Sequence, residues 1–246
     1  MQGMSGRRII VTGGSSGIGF ETARQLSSAG AEVCVIGRRQ DALDEAVEQL
    51  DGAAWAVSCD TSSEEQVVRV AEEARRRWGA VDGLVNSAGI ALGSPLEETD
   101  PETWDRVFAV NARGPYLMCR SLAELLRAGT STSVVNVSST LAEKAIPGMA
   151  AYNASKAAVN QFTRSLALEW APRIRVNAVM PAVVDTPIHD SRGLTAQQVA
   201  EMAAFHPMQR IGRPEDVASM IVYLLSDAAA WITGAIFPVD GGMLAT

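Results

Sequence analysis

Tyr152 and Lys156 stand four residues apart in Ala151-Tyr-Asn-Ala-Ser-Lys156, inside a long Ala-rich stretch of helical character. On a helix that spacing projects both side chains from one face, a turn apart. A free phenol, with a pKa near 10, exchanges protons poorly at neutral pH. A cation within about 4 to 6 Å favours the phenolate and lowers that value. The pair is therefore suited to moving a proton. Tyr and Lys also meet at this spacing by chance on many helices, so the remaining chain has to supply something for the proton to act on.

Thr12-Gly-Gly-Ser-Ser-Gly-Ile-Gly19 supplies it. The segment follows an apolar run, Ile9-Ile-Val11, and opens a helical pattern through Phe20, Ala23 and Leu26. Strand, glycine turn and helix form a phosphate cradle: Gly13, Gly17 and Gly19 permit a tight turn and close backbone approach, and free N–H groups at the helix start attract a pyrophosphate. The spacing differs from the G-x-G-x-x-G of the general dinucleotide fingerprint. Gly13 to Gly17 also read as G-x-S-x-G, the nucleophile elbow of serine hydrolases. An elbow needs an acid and then a histidine later in the chain; only His189 and His206 exist, both in a stretch of loop character, which disfavours that reading.

The chain has 246 residues, 47% of them hydrophobic, and carries a net charge of -7. Apolar strands alternate with amphipathic helices without a linker, which fits one α/β domain. Strands are expected at about 8 to 12, 32 to 36, 54 to 58, 82 to 86, 133 to 138, 174 to 180 and 235 to 239. Helices are expected from the glycine turn to 29 and at 41 to 50, 63 to 78, 101 to 128, 151 to 171 and 214 to 226. Strands this apolar imply a doubly wound parallel sheet with helices on both faces, and ligands then bind beyond the carboxyl ends of the strands. The polar leader Met1 to Arg8 and the short run after it suit neither a signal peptide nor a membrane span, so a soluble cytoplasmic protein is expected. Cys34, Cys59 and Cys119 lack metal-ligand spacing, and buried free thiols are expected. The basic run Arg75-Arg-Arg77 closes an amphipathic helix, where cations suit the helix dipole, so neither nucleic acid nor a metal is an expected partner.

As a whole the motifs resemble those of the short-chain dehydrogenase/reductase family, in its subfamily of about 250 residues, with a likeness to 3-oxoacyl carrier-protein reductases. The marks are Thr12 to Gly19, Asp60, Asn86-Ser-Ala-Gly89, Asn111, Val135-Asn-Val-Ser-Ser139, Tyr152 with Lys156, Asn177 to Pro181 with Thr186, and the tail Ile232-Thr-Gly and Val239-Asp-Gly-Gly242. The resemblance implies a single Rossmann-type domain and an NAD(P)-dependent oxidoreductase interconverting a ketone and a secondary alcohol by hydride transfer. It makes Tyr152 the general acid or base, with Lys156 tuning it and holding the nicotinamide ribose. It makes Ser139, thirteen residues before Tyr152, the hydroxyl that binds the substrate oxygen in preference to Ser138. It gives Asn111 a place in a water relay to Lys156. Cofactor contacts fall by the same resemblance on Gly13, Ser15, Ser16, Gly17, Ile18, Gly19, Asp60, Thr61, Asn86, Ala88, Gly89, Pro181, Val184 and Thr186, beside Tyr152 and Lys156.

Cofactor choice turns on the end of the second strand, Val33-Cys-Val-Ile-Gly-Arg38-Arg39. An acidic residue there would bind the adenosine ribose and repel a phosphate. Two arginines, with Gly37 leaving room, favour NADP(H) over NAD(H). Two departures from the family pattern stand out. Ser87 replaces an asparagine that ties the central strands, and Ala182 replaces a glycine beside the nicotinamide, a change that is tolerable only at negative φ.

Residues 187 to 207 are expected to form a substrate lid that, with Leu92, Leu141, Met149 and Val183, offers a mainly apolar wall to a small-molecule ketone or alcohol. The alternative is a catalytically silent nucleotide-binding regulator or scaffold of the same fold. The presence of Asn111, Ser139, Tyr152 and Lys156 together favours the enzyme. Finally, Tyr116, Cys119, Phe162, Leu166 and Trp170 on the two longest helices, with the tail Trp231 to Pro238, spread more apolar surface than covering a sheet requires. Family members commonly pair these helices across two-fold axes, which implies a homotetramer.

Overall fold

The computed structural model describes residues 3–193 and 195–246, without the side chains of 190–192. Strands β1 (Arg8–Thr12), β2 (Glu32–Gly37), β3 (Ala54–Ser58), β4 (Gly83–Asn86), β5 (Ser133–Val137), β6 (Arg175–Pro181) and β7 (Ile236–Val239) form one sheet in the order β3-β2-β1-β4-β5-β6-β7, every neighbouring pair parallel. Helices are α1 (Gly17–Ser28), α2 (Gln40–Glu48), α3 (Glu64–Trp78), α4 (Pro101–Phe108), α5 (Gly114–Ala128), α6 (Ala150–Trp170), α7 (Ala196–Glu201) and α8 (Pro214–Leu225).

The continuous apolar runs of the central strands follow from burial on both faces. Successive side chains of a strand point to opposite faces. Ile10, Cys34, Leu84 and Val134 accordingly pack under α3, α5 and α6, whereas Ile9, Val11, Val33, Val35, Val85 and Val135 pack under α1, α2 and α8. Chain order runs outward from β1 to β3 and then resumes with β4 on the other side of β1, so the strand ends diverge between β1 and β4. That switch point is where such sheets bind ligands. No helix among the described residues is long and apolar enough to cross a membrane.

Two expectations need correction. The single helix over 101 to 128 is two helices, α4 and α5, joined by a π-turn at Ala109–Arg113 in which the Gly114 N–H bonds the Ala109 carbonyl. Pro115 has no N–H, so the Asn111 carbonyl cannot receive its α-helical bond from four residues on, and regular winding stops there. The apolar excess on the long helices is also narrower than expected. Cys119, Leu166 and Trp170 are buried in the core and Phe162 is packed against it, which leaves Tyr116 and Leu168 exposed on α5 and α6.

The amino edge of the sheet is held by charge. Arg8 grips Asp82 through Nε at 2.9 Å and a second nitrogen at 3.0 Å, while the backbone N–H groups of Arg8 and Thr130 also donate to that carboxylate. Burial alone would raise the Asp82 carboxyl, but these donors and the Arg8 charge together hold it below its usual 3.8. A carboxyl depressed by folding contributes stability that is present above its unfolded pKa and is lost as pH falls through the folded value. Asp82→Ala should therefore cost about 3 kcal/mol at neutral pH by denaturant unfolding. Asp82→Asn should lose less stability than the wild type when both are acidified below about pH 4.

Candidate active site

Thr12 ends β1 and turns its hydroxyl across the switch point, where Oγ1 accepts the N–H groups of Ser87 at 3.0 Å and Ala88 at 3.1 Å. This fixes the glycine turn against the segment after β4. Gly13 and Gly17 have φ of +66° and +55°, values that favour glycine. A Cβ on Gly19 would lie 2.2 Å from the Gly13 carbonyl oxygen, and one on Gly14 would lie 2.7 Å from Val35 Cβ. Gly14, which the sequence reading passed over, is thus sterically required as well. Ser16 precedes α1 without capping it through its side chain, and the first turn holds no acidic residue. The N–H groups there stay open for an anion, the condition a pyrophosphate needs.

A cavity of about 430 Å³ runs from this turn along the carboxyl edge of the sheet. Gly13, Ser16, Gly17, Ile18, Gly19, Arg38, Ala88, Gly89, Pro181, Val184 and Thr186 line it, as do Ser139 and Tyr152. The remaining expected cofactor residues stand behind or beside that wall. Ser15 Oγ faces the bare side of Gly37, 3.4 Å from where a Cβ would be, and Arg39 is exposed immediately before α2. Asp60 Oδ1 accepts the N–H and hydroxyl of Ser62. Burial raises that carboxyl, yet the Ser62 bonds and the Arg38 and Arg106 charges bring it below its usual value. Thr61 is buried, its Oγ1 3.0 Å from where a Cβ on Gly114 would lie.

Asn86 turns away from the cavity. Its Nδ2 donates to Asn136 Oδ1 at 2.8 Å and meets Cys119 Sγ at 3.6 Å, and Asn136 in turn donates to Thr163 on α6. The side-chain tie between β4 and β5 is therefore made by Asn86, and Ser87, which lines the cavity, does not have to replace it. Ala182 also lines the cavity and is not among the residues with positive φ, so its methyl group is accommodated without backbone strain.

Beyond β5 the two serines divide as strand alternation requires. Ser138 spends its hydroxyl on the Lys156 carbonyl at 3.1 Å. Ser139 Oγ accepts the Leu141 N–H at 3.1 Å, which occupies a lone pair and leaves its proton to donate elsewhere. Across from it, α6 presents Tyr152 and Lys156, both buried. Lys156 Nζ lies 5.7 Å from the centre of the Tyr152 ring and donates to the Val137 carbonyl at 2.8 Å. Burial pushes its ammonium down to about 8, so it is still charged at neutral pH. Asn111, in the π-turn, accepts from the Ile90 N–H at 2.9 Å, and its Nδ2 donates to the Ile90 carbonyl at 2.9 Å and to Ser155 Oγ at 3.1 Å. Ser155 Oγ donates to the Tyr152 carbonyl at 2.8 Å. The amide of Asn111 thus locks the loop after β4 to the helix that carries Tyr152, leaving one Oδ1 lone pair for a further donor. Gly89 sits over both groups: a Cβ there would lie 3.4 Å from Asn111 Oδ1 and 3.5 Å from Lys156 Nζ.

The far end of the cavity is formed by Leu141, Met149 and Val183, by Ile188, Met202 and Phe205 from the expected lid segment, and by Ile146 and Met243, which pattern alone did not single out. Leu92 lies outside the lining. Over 187 to 207 the described chain forms a 3-10 turn at Pro187–Arg192, α7 and a second 3-10 turn at Met202–Phe205. His189 and His206 are both buried, and each donates from one ring nitrogen to a backbone carbonyl, His189 Nε2 to Val184 at 2.8 Å and His206 Nδ1 to Met202 at 3.0 Å. No cluster of His, Cys, Asp or Glu among the described residues is placed to hold a metal ion.

A family model described as enoyl-(acyl carrier protein) reductase matches residues 13–244. The chain is 41% identical to cis-4-hydroxycyclohexanecarboxylate dehydrogenase of Sinomonas cyclohexanicum, over 97% of each chain. It is 38% identical to 3beta-hydroxysteroid dehydrogenase 1 of Eggerthella lenta, over 98% of this chain and 94% of that one. A solved structure titled as a short chain dehydrogenase/reductase family protein superimposes with a TM-score of 0.89 at 33% identity, covering 99% of both chains. With sequence and fold agreeing over nearly its whole length, this chain belongs to the short-chain dehydrogenase/reductase family, NAD(P)-dependent oxidoreductases acting on alcohols and ketones.

Proposed function

We propose that Tyr152 is the proton donor for carbonyl reduction and the base for alcohol oxidation, with Ser139 and Lys156 as its partners. The observation that carries this reading is the convergence of a hydroxyl with its proton free and a phenol on one cavity wall, with an ammonium buried 5.7 Å from the centre of the phenol ring. When bound, the nicotinamide cofactor gives or takes the hydride. In reduction Ser139 donates a hydrogen bond to the carbonyl oxygen and stabilises charge developing there. Tyr152 transfers its proton to the same oxygen, and the Lys156 ammonium stabilises the phenolate that remains. In oxidation the phenolate removes the hydroxyl proton. Asn111 holds the frame in which Lys156 exchanges protons with solvent. Tyr152→Phe keeps the ring and removes the proton, so turnover should fall by about 10² to 10⁴ while cofactor affinity survives. A variant retaining more than a tenth of wild-type turnover, with chemistry rate-limiting, contradicts the assignment.

The glycine turn and the open N–H groups of α1 would hold the pyrophosphate, Asp60 the adenine, and the walls at Ala88, Gly89, Pro181, Val184 and Thr186 the rest of the cofactor. Arg38 lines the cavity beside Gly37, and no acid occupies the end of β2, which supports a preference for NADP(H). Joint replacement of Arg38 and Arg39 by Ala should weaken NADPH binding about ten- to hundredfold and leave NADH nearly unaffected. Equal weakening of both cofactors in fluorescence titration defeats the preference.

The protein acts as a soluble cytoplasmic homotetramer in this reading. Support comes from Trp231, fully exposed, and from Leu168, 83% exposed on α6, with Tyr116 on the neighbouring α5. Unpartnered apolar side chains at these places suit pairing across two-fold axes. Light scattering at micromolar concentration should give a tetramer mass, and a monomer mass would refute the assembly.

A further inference from the structure

The tail after β7 reaches the substrate end of the cavity through one side chain. Met243 is buried and lines the cavity. Its Sδ accepts a weak hydrogen bond at 3.9 Å from the hydroxyl of Thr140, the residue that follows Ser139. Met149, the other methionine beside the reacting groups, belongs instead to the cluster around Tyr152.

A methionine has three rotatable bonds and makes a firm wall only where its backbone is fixed. Asp240 fixes it. Its Oδ1 accepts the Gly242 N–H and its Oδ2 the Leu244 N–H, both at 2.9 Å, and its carbonyl accepts the Met243 N–H at 3.2 Å. Three successive N–H groups are thus held by one residue, which bends the chain into the 3-10 turn Met243–Ala245. Gly242 permits the bend with φ of +88°, and a Cβ on it would lie 3.1 Å from Pro207 Cγ. The turn is also tied at both flanks. On one, the Met208 N–H donates to the Gly241 carbonyl at 3.1 Å. On the other, Lys144 Nζ donates to the carbonyls of Met243 and Thr246, each at 3.3 Å.

Resting on the oxidoreductase reading above, we infer that Met243 is a specificity-determining residue and that Asp240 is the positioning residue that sets it in place. Met243 limits the bulk that a ketone or secondary alcohol carries next to its reacting carbon. A substrate whose oxygen meets Ser139 brings a flanking carbon toward Thr140, where the Met243 thioether already stands. One methylene accepted or refused by an apolar pocket changes discrimination by about 10- to 200-fold, so truncating this side chain should alter which ketones fit. Asp240 acts through the turn alone.

The test compares cyclopentanone with cyclooctanone, symmetric ketones that differ in bulk on both flanks of the carbonyl. Each is titrated by calorimetry into the full-length protein saturated with oxidised cofactor, a complex in which the ketone cannot be reduced. Met243→Ala should shift the affinity ratio at least about tenfold toward cyclooctanone, and Met243→Leu, which keeps the bulk, should leave it near the wild-type value. Asp240→Asn gives up one of the two acceptor oxygens, and should move the ratio in the same direction by about threefold or more with cofactor affinity retained. A merely structural role would weaken both ketones alike, and that result in Asp240→Asn defeats its positioning role. An unchanged ratio in Met243→Ala overturns the inference. So does a shift of equal size in Met243→Leu, or failure of cyclooctanone to bind Met243→Ala at millimolar concentration. Turnover is read separately with reduced cofactor: a shifted binding ratio without any change in nicotinamide absorbance would leave this inference standing and defeat the proposed chemistry.

Discussion

Lys156 keeps a positive charge where water scarcely reaches. The displacement of its ammonium from 10.5 to about 8 corresponds to a desolvation cost of about 3 kcal/mol. Part of that cost is offset by the Val137 carbonyl, which β5 delivers at its carboxyl end. In the proposed chemistry the remainder has a use, because an ammonium short of partners strongly favours an anion formed next to it, and the Tyr152 phenol is the group placed there. The site therefore depends on holding α6 close against the end of β5.

Several contacts do that holding, and each joins elements distant in the chain. Asn136 in β5 donates to Thr163 on α6, Ser138 donates to the Lys156 carbonyl, and Asn111 bonds Ser155 while gripping both backbone groups of Ile90. The last connection needs the π-turn, since a regular helix through Pro115 would leave Asn111 elsewhere on its circumference. An irregularity in a helix thus sets the position of a side chain one layer away. The carboxyl edge of a parallel sheet brings these elements together, and the glycine turn of β1 opens beside them.

What could be read from the chain alone follows from how local each signal is. The strands, the cradle at Gly13 to Gly19, and the pair Tyr152 and Lys156 depend on spacing within a few residues; the strands form where expected, and Gly13, Gly17, Gly19 and Tyr152 lie on one cavity with Lys156 buried beside the Tyr152 ring. The break at Ala109–Arg113 was missed although its signal, Gly114-Pro115 inside an apolar run, lay in view; periodicity across 101 to 128 outweighed it. The tie between Asn86 and Asn136 could not be assigned, because the partners lie fifty residues apart and only strand register makes them neighbours. The same holds for Met243, which reaches the cavity from the tail. Cys119, Leu166 and Trp170 look like surplus apolar surface when a helix is drawn alone, and become core once α3, α5 and α6 share one face of the sheet.

The central claim is that a buried ammonium makes the phenol of Tyr152 a usable base. The pH dependence of kcat/KM for alcohol oxidation tests it most directly, measured with saturating cofactor on the wild type, Lys156→Arg and Lys156→Met. If the cation favours the phenolate, the rise of kcat/KM with pH should lie at higher pH in Lys156→Met, with Lys156→Arg falling between the two. Superimposable profiles for the wild type and Lys156→Met, differing in height alone, would contradict the account.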